Sequence, residues 1–179
     1  MKKIKIILIL CMSILFSFVG GAQDLITQIS VDFKIRNLGI NVDGTFNNAT
    51  ITTNFKTKDI SKWTLSGSVE TASIYTENDK RDTHLRAEDY FDVSTYPKIT
   101  LEAKNFKKIS ENNYEVTVNL TIKKTTKTII IPMEITNNDS GSTLKAYFEI
   151  NRRHYGVGGS SFILSNTVKI NVNHTLKKG

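Results

Sequence analysis

The chain has 179 residues, a single cysteine and a net charge of +7. One cysteine excludes a disulfide scaffold and a cysteine-built metal site. The positive charge is mild and dispersed, which excludes the concentrated basic footprint of a nucleic-acid-binding surface.

The first element is a leader. Lys2, Lys3 and Lys5 precede an apolar run from Ile6 to Val19, and Gly20-Gly21-Ala22 supplies the small residues that a signal peptidase reads. The run is too short for a stable transmembrane helix. We expect a cleaved signal peptide over residues 1–22 and a single domain over residues 23–179, periplasmic or secreted. Cys11 follows Leu10, whereas a lipidated cysteine needs a small residue before it, so a lipoprotein is not expected. Removing the leader takes away three lysines and no acid, lowering the net charge from +7 to +4 and leaving no thiol.

Beyond the leader, apolar and polar residues alternate with a period of two, the pattern of half-buried strands. In chain order the apolar sets are Ile29 to Ile35, Ile51 with Phe55, Trp63 to Val69, Ile99 to Ala103, Tyr114 to Ile122, Ile129 to Ile135, Leu144 to Ile150, and Val168 to Val172. The set from Tyr114 to Ile122 is the most regular. Turn signals separate most of them, including Asn41-Val42-Asp43-Gly44 and the Gly-rich stretch from Tyr155 to Ser161. About eight strands joined by short connections favour antiparallel neighbours. Their apolar faces need a closed barrel or a sandwich to cover them, and alternation alone does not separate the two.

One segment breaks the pattern. From Asp82 to Asp89 the residues suit a helix, Asp82 is a suitable N-cap, and Pro97 marks the end of the excursion. A short helix or irregular turn is expected over roughly residues 80–92. The acids Asp82, Glu88, Asp89 and Asp92 could serve acid–base chemistry, but no nucleophile accompanies them. His84, His154 and His174 lack the spacing of a helical zinc site. Gly156, Gly158 and Gly159 lack the lysine and the strand-to-helix setting of a phosphate loop. Neither a catalytic residue nor a metal ligand is expected.

The central segment resembles the YceI-like, polyisoprenoid-binding family. The matching residues are Ser73-Ile74, Thr76, Asn78, Arg81-Asp82, His84-Leu85-Arg86, Asp89, Phe91-Asp92, Tyr96-Pro97 and Ile99, in order and spacing. Weaker agreement flanks them in the first strand, in the strand pair around Lys123-Lys124, and in the last two blocks. Two positions depart: many members carry His where this chain has Asn37, and Gly where it has Lys124.

The resemblance implies an all-β fold, a lipocalin-like eight-stranded antiparallel β-barrel with a short helical segment near residues 80–92. It implies a bound isoprenoid or fatty lipid in place of a cofactor. The candidates to line the tail are Phe33, Ile35, Leu65, Val69, Leu101, Val116, Val118, Leu120, Phe148 and Ile150. Arg81, Asp82 and His84 are candidates for head-group contacts or for bracing the fold, with Leu85, Tyr90 and Phe91 packing the segment onto the barrel.

The function expected is that of a non-catalytic carrier for a long-chain amphiphile: an isoprenoid quinone, a polyprenyl lipid, or a fatty acid or amide. The alternatives are a secreted structural or adhesion sandwich with a solid core, and an enzyme acting on an isoprenoid lipid. The expected partner is an amphiphilic lipid, with transient membrane contact and no nucleic acid. The oligomeric state is left open, a homodimer included.

Overall fold

The computed structural model describes residues 25–178. The expected signal peptide lies outside the described residues. The strands are β1 (Leu25–Asn37), β2 (Ile40–Phe46), β3 (Ala49–Asn54), β4 (Thr64–Glu70) and β5 (Ile74–Tyr75), then β6 (Lys98–Lys108), β7 (Asn113–Ile122), β8 (Thr125–Asn138), β9 (Gly141–Asn151) and β10 (Leu164–Lys178). A helix, α1 (Asp79–Arg86), interrupts them between β5 and β6.

All ten strands join one sheet in the order β3-β4-β6-β7-β8-β9-β10-β1-β2-β5. Every pairing is antiparallel. Chain connectivity forces this sheet to curl. β3 stands at one end of the order and β2 next to the other end, yet only Asn47 and Asn48 join them. The two ends must therefore meet in space. Asn47 N–H donates to the Ser73 carbonyl at 3.1 Å and Glu70 N–H to the Asn48 carbonyl at 2.9 Å, which stitches the junction. The result is a curled half-barrel rather than a pair of sheets, and it replaces the sandwich alternative.

The sheet has ten strands, not eight. The two additions are β2 and β5. The Asn41-Val42-Asp43-Gly44 run, read as a turn from its composition, lies inside β2; the turn itself is Leu38-Gly39. Gly44 faces Phe33 of β1, and a Cβ there would come within 2.3 Å of the Phe33 ring. The glycine is required by close packing and not by a turn.

The interior is filled at one end. Phe55, Phe106 and Tyr114 pack with Val116, Val118, Ile131, Met133, Ile135 and Leu144 into a solid floor, against which Trp63 packs in tilted and edge-on contacts. Trp63 lies 5.0 Å from Phe55, 5.8 Å from Phe106 and 5.1 Å from Tyr114 between ring centroids, within the range of favourable aromatic pairs. Phe106 reaches this cluster through a bulge. Ile99, Leu101 and Ala103 face inward, and the register then shifts between Ala103 and Asn105, so the next inward residue is Phe106.

Candidate functional site

Above the floor the barrel is not filled. A cavity of about 530 Å³ runs between the strands towards the end that carries α1. Its wall is predominantly apolar along its depth, from Met133, Leu144 and Ala146 at the floor to Ile35, Ile122, Ile150 and Val168 near the top. Asn37, Thr76, Arg81, His84, Arg152 and Ser161 stand at the upper rim, and Asp32, Thr50, Ser68 and Thr100 of β1, β3, β4 and β6 also belong to the lining. The size falls within the usual range for small-molecule sites, roughly 300–1,000 Å³.

Eight of the ten tail-lining candidates lie on this wall: Phe33, Ile35, Leu65, Val69, Leu101, Leu120, Phe148 and Ile150. Val116 and Val118 do not. Both are completely buried in the floor, Val116 between Phe106 and Ile131 and Val118 between Ala103 and Ile129. Strand periodicity tells which face a residue takes. It does not tell how deep along the barrel axis the residue lies.

The cap begins at α1. Its N-cap is Asn78, whose side chain accepts from the Arg81 N–H at 2.9 Å, and not Asp82. Asp82 lies one turn further on and points inward. Its carboxylate accepts from the Thr76 N–H at 3.2 Å and from the Thr76 hydroxyl. Arg81 closes the same knot, donating through Nε to Thr76 Oγ1 at 2.7 Å and through Nη2 to the Thr76 carbonyl. Arg86 donates to the Ala72 and Ile74 carbonyls at 2.9 and 2.8 Å and ties the helix end to β5. Of the three brace-or-mouth candidates, Arg81 and His84 line the cavity, whereas Asp82 is 2% exposed and turned to Thr76. His84 Nε2 stands 3.4 Å from Asp89 and its ring packs on Tyr90. That pair is solvent-exposed and worth little to stability.

Leu85 and Phe91 pack the cap segment against Phe46, Val69 and Ile74. Tyr90 and Phe91 also meet a second group formed by Leu120, Ile122, Tyr155 and Val157. The β7–β8 turn joins in. Lys123, at φ 52°, carries its ammonium to the Glu88 carbonyl at 2.9 Å and to the Gly156 carbonyl at 3.4 Å. The left-handed residue of that turn is thus Lys123 and not Lys124.

Sequence reasoning missed Arg152. The residue is 3% exposed, and its guanidinium has no carboxylate partner among the described residues. Instead Nε donates to the Ser165 carbonyl at 2.9 Å, and Nη1 to the carbonyls of Val157 at 2.8 Å and Gly159 at 3.0 Å. Burial pushes its pKa below the ordinary arginine value, and nearby Tyr90 opposes that shift. Carbonyl dipoles replace water around the cation, which folds the 156–166 loop about it and leaves a positive charge beside the cavity. The available signal was the Arg152-Arg153 pair shortly before a glycine-rich stretch, uncharged from Tyr155 to Val168, whose carbonyls need donors.

Among the described residues no group of three or more His, Asp or Glu side chains is close enough to hold a metal ion. A curled antiparallel sheet, floored at one end, hollow above, and covered by a short helix and two loops, defines a hollow β-barrel domain. The chain belongs to the YceI-like family, whose domain model matches residues 26–176.

Curated relatives include the UPF0312 proteins of Pseudomonas syringae pv. syringae and Yersinia pestis. The first is 33% identical over 102 residues, which are 56% of this chain and 53% of the relative. The second is 30% identical over 124 residues, 68% of this chain and 64% of the relative. The matched segment thus spans between about half and two thirds of these relatives.

Among solved structures, Burkholderia cenocepacia BcnA superposes with a TM-score of 0.77 at 21% identity, covering 82% of this chain and 95% of that one. The Campylobacter jejuni YCEI protein gives 0.70 at 25% identity, covering 78% and 87%. A polyisoprenoid-binding domain from Saccharophagus degradans gives 0.70 at 12% identity, covering 88% and 99%.

Proposed function

We propose that the protein is an exported, non-catalytic carrier that holds a long-chain amphiphile in the barrel, tail towards the aromatic floor and head at the rim. The observation that carries this reading is the cavity of about 530 Å³, predominantly apolar along its depth, with Arg81, His84 and Arg152 at one end. An isoprenoid quinone, a polyprenyl lipid, or a fatty acid or amide suits such a space. The Saccharophagus neighbour, a polyisoprenoid-binding domain, supports the lipid assignment.

The driving force is tail burial. A five-carbon isoprene unit offers about 4 kcal/mol of gross transfer energy, at about 0.8 kcal/mol per buried carbon group. Ordering the chain and fixing the complex offset a large part of it. Head-group contacts then set orientation more than affinity. The groups placed to make them are Asn37, Arg81 and His84, with the field of Arg152 behind them. Asn37 offers an amide where many relatives have a titratable ring, so head-group binding here should not depend on a histidine at that position.

The test is uptake of a fluorescent polyprenyl or fatty probe by lipid-free protein. Saturable uptake, with the lipid recovered unchanged, agrees with a carrier. Chemical turnover of the lipid points to an enzyme instead. Export is tested by the intact mass of the protein recovered from outside the cytoplasm. The expected mass lacks residues 1–22; one carrying those residues or a diacylglycerol contradicts it.

A further inference from the structure

The rim carries apolar side chains that the fold does not use. Leu38 and Ile40 stand at the tip of the β1–β2 hairpin, 68% and 70% exposed. Phe162 is fully exposed and Ile163 more than half exposed, on the loop that leads into β10. The Leu38 N–H donates to the Ile163 carbonyl at 2.9 Å, so hairpin tip and loop form one surface. That surface is continuous with the cavity, because Asn37, Ser161 and Ile163 belong to the cavity wall.

Leu38 is the most telling of the four. It adopts φ 52°, followed by Gly39 at φ 78°. A two-residue hairpin turn of this kind favours Asn-Gly, and the left-handed conformation penalises a branched side chain. Leucine therefore strains the backbone while gaining little packing in the isolated chain. Its side chain is suited to burial against something outside the monomer.

Charge narrows the choice. Between Arg152 and Val168 there is no acidic residue, and Arg36 and Arg153 are exposed on the flanks. Two acids close to the patch have partners: Asp43, three residues past Ile40 on β2, pairs with Lys34 at 3.0 Å, and Asp89, whose carbonyl accepts from the Gly158 N–H, lies 3.4 Å from His84. Apolar tips with basic neighbours suit a bilayer containing anionic lipid. A second copy of the chain is disfavoured. Four side-chain tips offer far less than the roughly 800 Å² per partner of a standard protein interface. A copy seated there would also cover the opening.

We propose that Leu38, Ile40, Phe162 and Ile163 form a membrane-insertion surface that sets the cavity mouth against a phospholipid bilayer, where cargo is exchanged. This rests on the carrier reading, to which it adds the donor or acceptor of the lipid.

The experiment compares the wild type with a Leu38→Asn, Phe162→Ser double variant and an Ile130→Ser control. Neither residue of the double variant lines the cavity, and Ile130 is exposed on the outer face of β8. Each protein is floated with vesicles of phosphatidylethanolamine containing a minor fraction of phosphatidylglycerol. Each is also assayed for uptake of a fluorescent polyprenyl probe, from vesicles and from vesicle-free solution.

The double variant should partition onto vesicles roughly tenfold to a hundredfold less and draw probe from vesicles correspondingly more slowly. Its vesicle-free uptake should equal the wild type's, and its melting temperature should not fall, because asparagine tolerates the left-handed turn. The control should match the wild type throughout. A double variant that floats as well as the wild type contradicts the proposal. A wild type that takes up the probe but does not float contradicts it too, while leaving the carrier reading standing. A dimer abolished by the double variant, with no vesicle binding by either protein, would make the patch a self-interface and overturn it.

Discussion

Asp82 accepts both hydrogen bonds that Thr76 can donate, one from its N–H at 3.2 Å and one from its hydroxyl. Both residues are buried, so neither group has water as a substitute partner. Arg81 adds two donors to the same threonine. The pair therefore locks α1 onto the start of the cap from inside. Asp82→Ala leaves the buried Thr76 groups unpaired and should destabilise the fold by about 1–3 kcal/mol. Arg81→Ala, at a half-buried site, should cost about 0.5–1.5 kcal/mol. Melting temperature reads both, with probe uptake measured well below the transition. Unchanged melting of the Asp82 variant with abolished uptake would move this residue from bracing to binding.

The division between floor and cavity gives a paired test. Val118 is fully enclosed in the floor, whereas Val168, between Ile35 and Ile150 on neighbouring strands, faces the cavity. Val118→Phe should overpack and cost typically about 1–3 kcal/mol. Val168→Phe should leave the melting temperature of lipid-free protein nearly unchanged and weaken uptake of the longest probes most. Equal destabilisation by the two substitutions would mean that the upper barrel is filled by side chains.

Gly44 places the Phe33 ring across the backbone of β2, and Thr76 Cγ2 would lie 2.8 Å from an added Cβ on the same glycine. Gly44→Ala should therefore displace Phe33 into the cavity and loosen the Thr76 knot together. The expected result is lower melting temperature, on the scale of about 1–3 kcal/mol, combined with reduced uptake. A variant that loses neither would show that the ring relocates freely.

His174 gives the fold a pH dependence. It is 3% exposed on the inward face of β10, with Ile29 and Leu144 as its ladder neighbours, and its Nδ1 has no hydrogen-bond partner. Burial holds its pKa below the ordinary value of 6.5. Above that value folded and unfolded chains both carry a neutral ring, and His174 leaves stability independent of pH. Below it the unfolded chain takes up a proton that the folded chain resists, so stability falls with pH until the depressed folded value is reached. Melting temperature should drop on acidification below about pH 6.5, and His174→Leu should lessen that drop. An identical acid slope in the variant would assign the sensitivity to the carboxylates.

Strands with one buried face were legible in the sequence. β7 alternates strictly from Tyr114 to Ile122 because every second residue faces the interior. β2 was not, since its residues have turn composition and its inward positions are only Val42, Gly44 and Phe46. β5, with two residues, is too short to show any period. The cap was visible as a helix, but its N-cap was misplaced from Asn78 to Asp82. Both types cap helices, and only geometry shows that the aspartate turns inward to Thr76. The site was read by face and not by depth. Val118 and Leu120 are neighbours on one face of β7, yet only Leu120 reaches the cavity. What separates them is the aromatic floor, and Phe106 enters it through a bulge that a period of two does not reveal.

The most direct test of a lipid-filled barrel is organic extraction of the freshly purified, untreated protein followed by mass spectrometry of the extract. The expected result is a long-chain amphiphile, isoprenoid or fatty, recovered in near-stoichiometric amount from the wild type and depleted in Val168→Phe. An extract with no lipid above the level of an unrelated protein prepared in parallel, from a wild type that also takes up no added probe, would contradict the carrier function.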